Sequence, residues 1–261
     1  IVLILNDVTE HYMNQALKIA DSNKDKMLAI VSHELRTPLN GILGMVNLLE
    51  KEIVDPESLK YISVCKSSGK MLLNIVNSIL DLGQIRSNTF KLNITKDDLY
   101  KLLHDICYLF KFQFDFKQLY LKLEIAPDVP QYITTDHTRL RQVLINLIGN
   151  AMKFTFEGGV DISVTTNQDH PEEILFTVKD SGQGIKQEDL QGKLFKLYGR
   201  LDQINPQANT EGVGLGLTIA DHLAKLLGDS KEERHIKVES ELNKGSTFKF
   251  YIKGHIYEKD D

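Results

Sequence analysis

The stretch VSHELRTPLN, Val31 to Asn40, lies inside a run that otherwise reads as one long helix. It sets His33 beside Glu34, followed by Arg36, Thr37 and Pro38. Pro38 has no backbone N–H and crowds the carbonyl four residues earlier, so a bend is predicted there, with the Glu34 carbonyl loosened. A helix accepts that cost more readily when exposed side chains need a particular aim. His33 has an ordinary pKa near ~6.5, so its ring is mostly a neutral nucleophile at neutral pH. Glu34 can take a proton or a hydrogen bond from the ring, which makes the other nitrogen more reactive. Alone, such a histidine reads as an ordinary solvent-facing helix residue. The rest of the chain changes that.

Working outward, apolar residues recur at three- and four-residue steps from about His11: Ala16, Ile19, Ala20, Met27, Ile30, Val31, Leu35, Ile42, Leu43, Val46 and Leu49. The run stops near Val54-Asp55-Pro56, where Asp55 can cap and Pro56 can open the next helix. A second run follows through Leu59, Ile62, Cys65, Leu72, Ile75, Val76, Ile79, Leu82 and Ile85. Two long helices joined by a short turn predict an antiparallel hairpin. The apolar stripe is wide for a lone pair, which points to a dimer closing a four-helix bundle; packing onto a neighbouring domain is the alternative. Ile1 to Glu10 reads as a short strand, and VLILNDVTEH resembles the last strand of a PAS sensor domain. The expected organisation is 1–10 as the end of that preceding domain, 11–88 as the hairpin, and 89–261 as a second domain.

At 261 residues the chain has room for one to two domains and a sizeable core. With 42% hydrophobic and 26% charged residues it reads as an ordinary globular protein. A net charge of -5 without a dense Lys/Arg block argues against nucleic acid as a partner. No apolar run approaches the ~18 residues of a membrane span, so no direct membrane contact is expected, although the parent protein could be anchored elsewhere. Cys65 and Cys107 lack metal-ligand spacing. They are expected to be buried thiols in a reducing compartment, hence a cytoplasmic location.

Beyond Ser87 to Thr89 strands and helices alternate. Strands are predicted at Lys91 to Ile94, Leu119 to Ile125, Val160 to Thr166 and Ile174 to Lys179. Helices are predicted over Asp98 to Phe114 and Asp136 to Phe154, with a further one running from about Glu211 to Leu227. The last strands are Ile236 to Glu239 and Thr247 to Ile252, turned by Asn243-Lys244-Gly245. The fold class is therefore α+β: an all-α hairpin forming a dimeric four-helix bundle, then an α/β sandwich with one mixed sheet and helices on one face.

In LRQVLINLIGNAMKFT the residues Arg139, Gln142, Asn146, Asn150 and Lys153 align on a face away from the apolar stripe. Asparagine is a mediocre helix former, and two amide oxygens beside a lysine suit a magnesium ion and phosphates. A polar solvent face would be the plain reading if this helix stood alone. In ILFTVKD, Asp180 continues the face of Ile174, Phe176 and Val178. DSGQGI then supplies Gly182 and Gly184, which allow tight backbone approach to a ligand. Such an inward carboxylate can accept a hydrogen bond from a base's amino group, though a simple Asp-Gly turn looks the same. GVGLGL, with Gly212, Gly214 and Gly216, enters a helix whose free N–H groups and positive end favour phosphate.

Taken in order, these motifs resemble the catalytic core of a sensor histidine kinase over about residues 11 to 255. VSHELRTPLN is similar to that family's phosphoacceptor box and NLIGNAMKFT to its asparagine box. DSGQGI and GVGLGL resemble its two glycine boxes, and LFKLYGRLD its phenylalanine box. The resemblance implies ATP and Mg2+ as cofactors, a homodimer, and a response-regulator receiver domain as partner. It implies His33 as phosphoryl acceptor, Glu34 as its base, and Thr37 aiming water for dephosphorylation of the receiver. Asn150 would hold magnesium, with Asn146 and Lys153 near the phosphates, and Asp180 would read the adenine amino group. Gly182, Gly184, Gly212, Gly214 and Gly216 would shape the lid and phosphate site together with Leu217. Phe195 and Arg200 would belong to a mobile lid. Tyr198 stands where a second Phe is common, Glu211 where Gly is frequent, and GDSKEERHIKVES adds charged residues.

ATPase relatives of this fold need a water-activating carboxylate one turn before the magnesium asparagine. Asn146 stands there instead, and an amide cannot take the proton. ATP should therefore wait for a better nucleophile. The alternatives are a protein mainly dephosphorylating its receiver, a degenerate dimeric scaffold, and a simple ATPase.

Overall fold

The computed structural model describes residues 34–86, 89–167, 170, 172–192, 194–195, 215–228 and 236–254. His33, Arg200, Gly212, Gly214 and the segment Ile1 to Glu10 lie outside the described residues. The chain forms two compact units, Ile1–Lys91 and Leu92–Asp261.

In the first unit residues 34–52 are helical (α1), without interruption through Pro38. Helix α2 spans Pro56–Arg86. The break falls at residues 53–55, where the Asp55 carboxylate accepts the Ser58 N–H at 2.9 Å and the Ser58 hydroxyl at 2.6 Å. Asp55 thus caps the new helix, as its place before Pro56 suggested. Leu39, Leu43 and Val46 of α1 and Ile62 and Val76 of α2 are buried. Gly69 lets the helices come close: a methyl group there would lie 2.7 Å from Leu43 Cδ2. Arg36 also crosses to α2, its Nε and Nη2 donating to Asn77 Oδ1 at 3.2 and 2.7 Å.

The second unit opens with β1 (Thr95–Asp98) and α3 (Leu99–Phe116). β2 (Tyr120–Ile125), β3 (Tyr132–Thr135) and α4 (His137–Phe154) follow. Next come β4 (Gly159–Thr166), β5 (Glu173–Asp180) and the short α5 (Gln187–Gly192). α6 (Gly216–Gly228), β6 (Lys237–Glu241) and β7 (Gly245–Lys253) close it. Five strands form a mixed sheet in the order β2-β4-β5-β7-β6, parallel only between β2 and β4. β1 and β3 make a separate antiparallel pair, so the single sheet expected from the sequence is two. The first strand is Thr95–Asp98 rather than Lys91 to Ile94, and β3 and α5 were not anticipated.

The core lies between the five-stranded sheet and the helices. Register sets Val160 opposite Asp180, Ile162 opposite Val178 and Val164 opposite Phe176. Phe176 is also opposite Phe250, and their rings stack with centroids 5.1 Å apart. Leu140, Val143, Leu144, Leu147, Ile148 and Ala151 of α4 are almost wholly buried, as the periodicity predicts. The two thiols depart from expectation. Both are free, but Cys65 is exposed and Cys107 only half-buried, because each sits toward the edge of its helix's apolar stripe. Burial pushes the Cys107 thiol up from its ordinary value.

Candidate functional site

The alternation of β5 carries Asp180 inward with Ile174, Phe176 and Val178, and leaves it 5% exposed. Its Oδ1 accepts the Gly182 N–H at 2.9 Å and the Ser246 N–H at 3.2 Å. No described residue donates to the second oxygen, so one side of a buried carboxylate is left to meet a ligand's donor. Burial raises the Asp180 carboxyl above the usual range, and the two main-chain N–H groups offset only part of that rise.

The turn after Asp180 is sewn to its neighbours. Gln183 donates its N–H to the Phe154 carbonyl at 3.2 Å and accepts the Asn243 N–H at 2.7 Å. A methyl group at Gly182 would lie 2.5 Å from that Phe154 oxygen. At Gly184, with φ +69°, it would lie 2.0 Å from the Glu241 carbonyl oxygen. At both glycines the space a side chain would need is taken by the chain's own carbonyls. Their effect is to clamp the Asp180 turn against the end of α4 and the turn after β6.

Asp136 caps α4, accepting the Arg139 N–H at 3.0 Å. The helix brings Asn146, Asn150 and Lys153 up half-buried on one face, with Lys153 Nζ 5.3 Å from the Phe154 ring centroid. Asn146 Nδ2 donates to the Gly216 carbonyl at 3.3 Å, and a methyl group at Gly216 would lie 3.1 Å from Asn146 Oδ1. The first turn of α6, including half-buried Leu217, thus abuts the asparagine face. Phe195 is tied to the same turn, its carbonyl accepting the Thr218 hydroxyl at 3.2 Å. The Asn150 side chain has no hydrogen-bond partner among the described residues. One free amide oxygen suits a magnesium ion that keeps most of its waters and takes the rest of its ligands from phosphates. Among the described residues no cluster of three His, Cys, Asp or Glu forms a self-sufficient metal cage.

Sequence reasoning missed Ser246 and Gly245, whose backbones lie against Asp180. Gly245, at φ +107°, passes so close that a methyl group would lie 2.0 Å from the Asp180 carbonyl oxygen. The Asn-Lys-Gly turn announces a tight hairpin there, but nothing local to it points to Asp180. Glu34 and Thr37 are exposed on α1 in the other unit.

Residues 135–256 match the family of histidine kinase-, DNA gyrase B- and HSP90-like ATPases, and residues 23–88 match the His Kinase A (phospho-acceptor) domain. The chain is a histidine kinase catalytic core. This kinase core is 37% identical over 247 residues to the aerobic respiration control sensor protein ArcB of Escherichia coli (strain K12), covering 94% of the chain and 31% of that protein. It is 37% identical over 219 residues to the ArcB homolog of Haemophilus influenzae, covering 83% of the chain and 66% of the relative. The crystal structure of full-length ShkA in complex with AMPPNP superposes with a TM-score of 0.67 at 31% identity, over 88% of the kinase core and 46% of that protein. The core thus spans about a third of the E. coli relative's length. No described helix is long and apolar enough to cross a membrane.

Proposed function

We propose that this core binds ATP, phosphorylates itself on His33 and passes the phosphoryl group to an aspartate of a receiver domain. The observation that carries the reading is the buried Asp180, with one oxygen held by two main-chain N–H groups and the other free for the adenine amino group. The AMPPNP complex of the ShkA relative supports the same nucleotide class. Asn146 and Lys153 would meet the phosphates, with Gly212, Gly214, Gly216 and Leu217 at the entry to α6. Phe195 and Arg200 would serve in the lid. Asn150 would hold Mg2+, which when bound neutralises charge on the phosphates.

A ring nitrogen of His33 attacks the γ-phosphorus, the bond to the bridging oxygen breaks, and ADP leaves. Glu34 takes the proton from the other ring nitrogen. Asn146 offers no base for water, so hydrolysis stays slow and the phosphoryl group waits for His33. Thr37 aims water when the receiver is dephosphorylated. The exposed apolar residues of α1 support a homodimer as the working form, in a cytoplasmic setting.

The test is incubation with labelled ATP and Mg2+. The expected result is acid-labile, alkali-stable label that is lost in His33→Gln; label that persists in that variant refutes the reading. Thr37→Ala should lower receiver dephosphorylation while leaving autophosphorylation in place.

A further inference from the structure

The outer face of α3 carries Tyr108, Leu109, Phe112 and Phe116, exposed to 81%, 57%, 78% and 82%. The three aromatics recur every fourth residue, which sets them in one row along the helix. The opposite row of α3 already supplies its share of the core through Leu102, Leu103, Ile106, Phe110 and Phe114. Single exposed apolar residues are ordinary, whereas a continuous aromatic row marks an interaction surface.

We propose that this row pairs with the same row of a second copy of the chain, antiparallel, about a two-fold axis at Phe112. The spacing is symmetric about that residue, so Tyr108 of one copy meets Phe116 of the other while the two Phe112 rings face each other. The charges bordering the row are already coupled in opposite signs, Lys111 with Asp115 at 3.7 Å and Arg141 with Asp105 at 3.6 Å. Two copies therefore meet without a charge clash, and a strongly charged partner finds no complement here. An aromatic side chain carries roughly 150–250 Å², so with Leu109 the face offers roughly 500–600 Å² per copy at these exposures. Two copies bury roughly 1,000–1,200 Å², the lower edge for a specific interface. That area does not hold free molecules together in dilute solution. It suffices between chains already joined through α1, where the effective concentration is of order millimolar. The inference therefore rests on the homodimer proposed above.

The experiment uses the full chain with Cys65→Ser and Cys107→Ser, and a short bis-maleimide. Single cysteines are placed by Phe112→Cys on the row, by Glu124→Cys on exposed β2 as a control, and by Met45→Cys to report the hairpin dimer. Phe112→Cys should cross-link between copies at least tenfold faster than Glu124→Cys. Adding Phe116→Glu to the same chain should return it to the control rate. Equal rates at positions 112 and 124, with rapid cross-linking at 45, overturn the α3 pairing and leave the dimer standing. Failure at position 45 as well overturns both.

Discussion

Asp180 combines a stability cost with the proposed adenine contact on the same carboxylate. Its pKa is raised by burial, the largest effect, against the opposing N–H groups of Gly182 and Ser246. A carboxyl whose folded pKa lies above its unfolded value stabilises the fold below the unfolded pKa. That contribution is lost as pH rises through the folded value. Asparagine keeps an oxygen for the two N–H groups and removes the buried charge. Asp180→Asn should therefore melt higher than the parent at pH 7, with the gap closing as pH falls through the carboxylate range. Its ATP affinity should drop roughly ten- to a hundredfold, the worth of a charge-assisted hydrogen bond. Melting curves across pH and calorimetric titration check both halves. Gly184 makes a sharper case, because its positive φ and the Glu241 carbonyl 2.0 Å from a would-be methyl leave no room for a side chain. Gly184→Ala should cost more than about 2 kcal/mol in denaturant unfolding. The inward aim of Asp180 could be read from the alternation of β5. The partners at Ser246 and Gly245 could not, since they come from a strand 66 residues later whose register the local pattern does not encode.

At the scale of elements, the sequence located what packs and misplaced what does not. The row from Leu140 to Ala151 and the strand Ile174 to Asp180 announce themselves because burial imposes a period on them. β1 is Thr-Lys-Asp-Asp with its first three residues exposed, and its partner β3 is only four residues long. β1 buries no face, and although β3 alternates with Ile133 and Thr135 buried, four residues are too few for that period to stand out in the sequence. The more apolar Lys91 to Ile94 drew the strand assignment instead. The N-terminus of α4 was legible, and it concentrates several bonds on one residue. Asp136 is 3% exposed, caps Arg139 through Oδ1 and accepts the Asn93 N–H at 2.8 Å through Oδ2. Asp136→Ala removes the cap and strands a second donor, which should cost about 2–3 kcal/mol. Hydrogen exchange should show faster opening across α4 and the sheet, with α1 and α2 unchanged.

For the whole molecule, the proposed acceptor His33 and the proposed nucleotide residues belong to separate compact units, and the hairpin has its own unfinished surface. Leu35, Ile42, Met45 and Leu49 are spaced by seven, three and four residues along α1 and are exposed to 49%, 58%, 64% and 47%. Buried Leu39, Leu43 and Val46 already serve the contact with α2, so this second row is the surplus that the sequence showed as an overly wide stripe. In water such a row at heptad spacing is matched by helices of another hairpin, which closes a four-helix bundle. A charge at its centre should therefore be costly only in the dimer. Met45→Glu combined with Ile42→Glu should convert a dimer into a monomer at micromolar concentration in sedimentation, while calorimetric titration shows ATP affinity unchanged within about twofold. A variant that remains dimeric would mean that the exposed row of α1 is not the joint between copies. Loss of ATP binding along with the dimer would mean that the nucleotide unit depends on the hairpin for its structure.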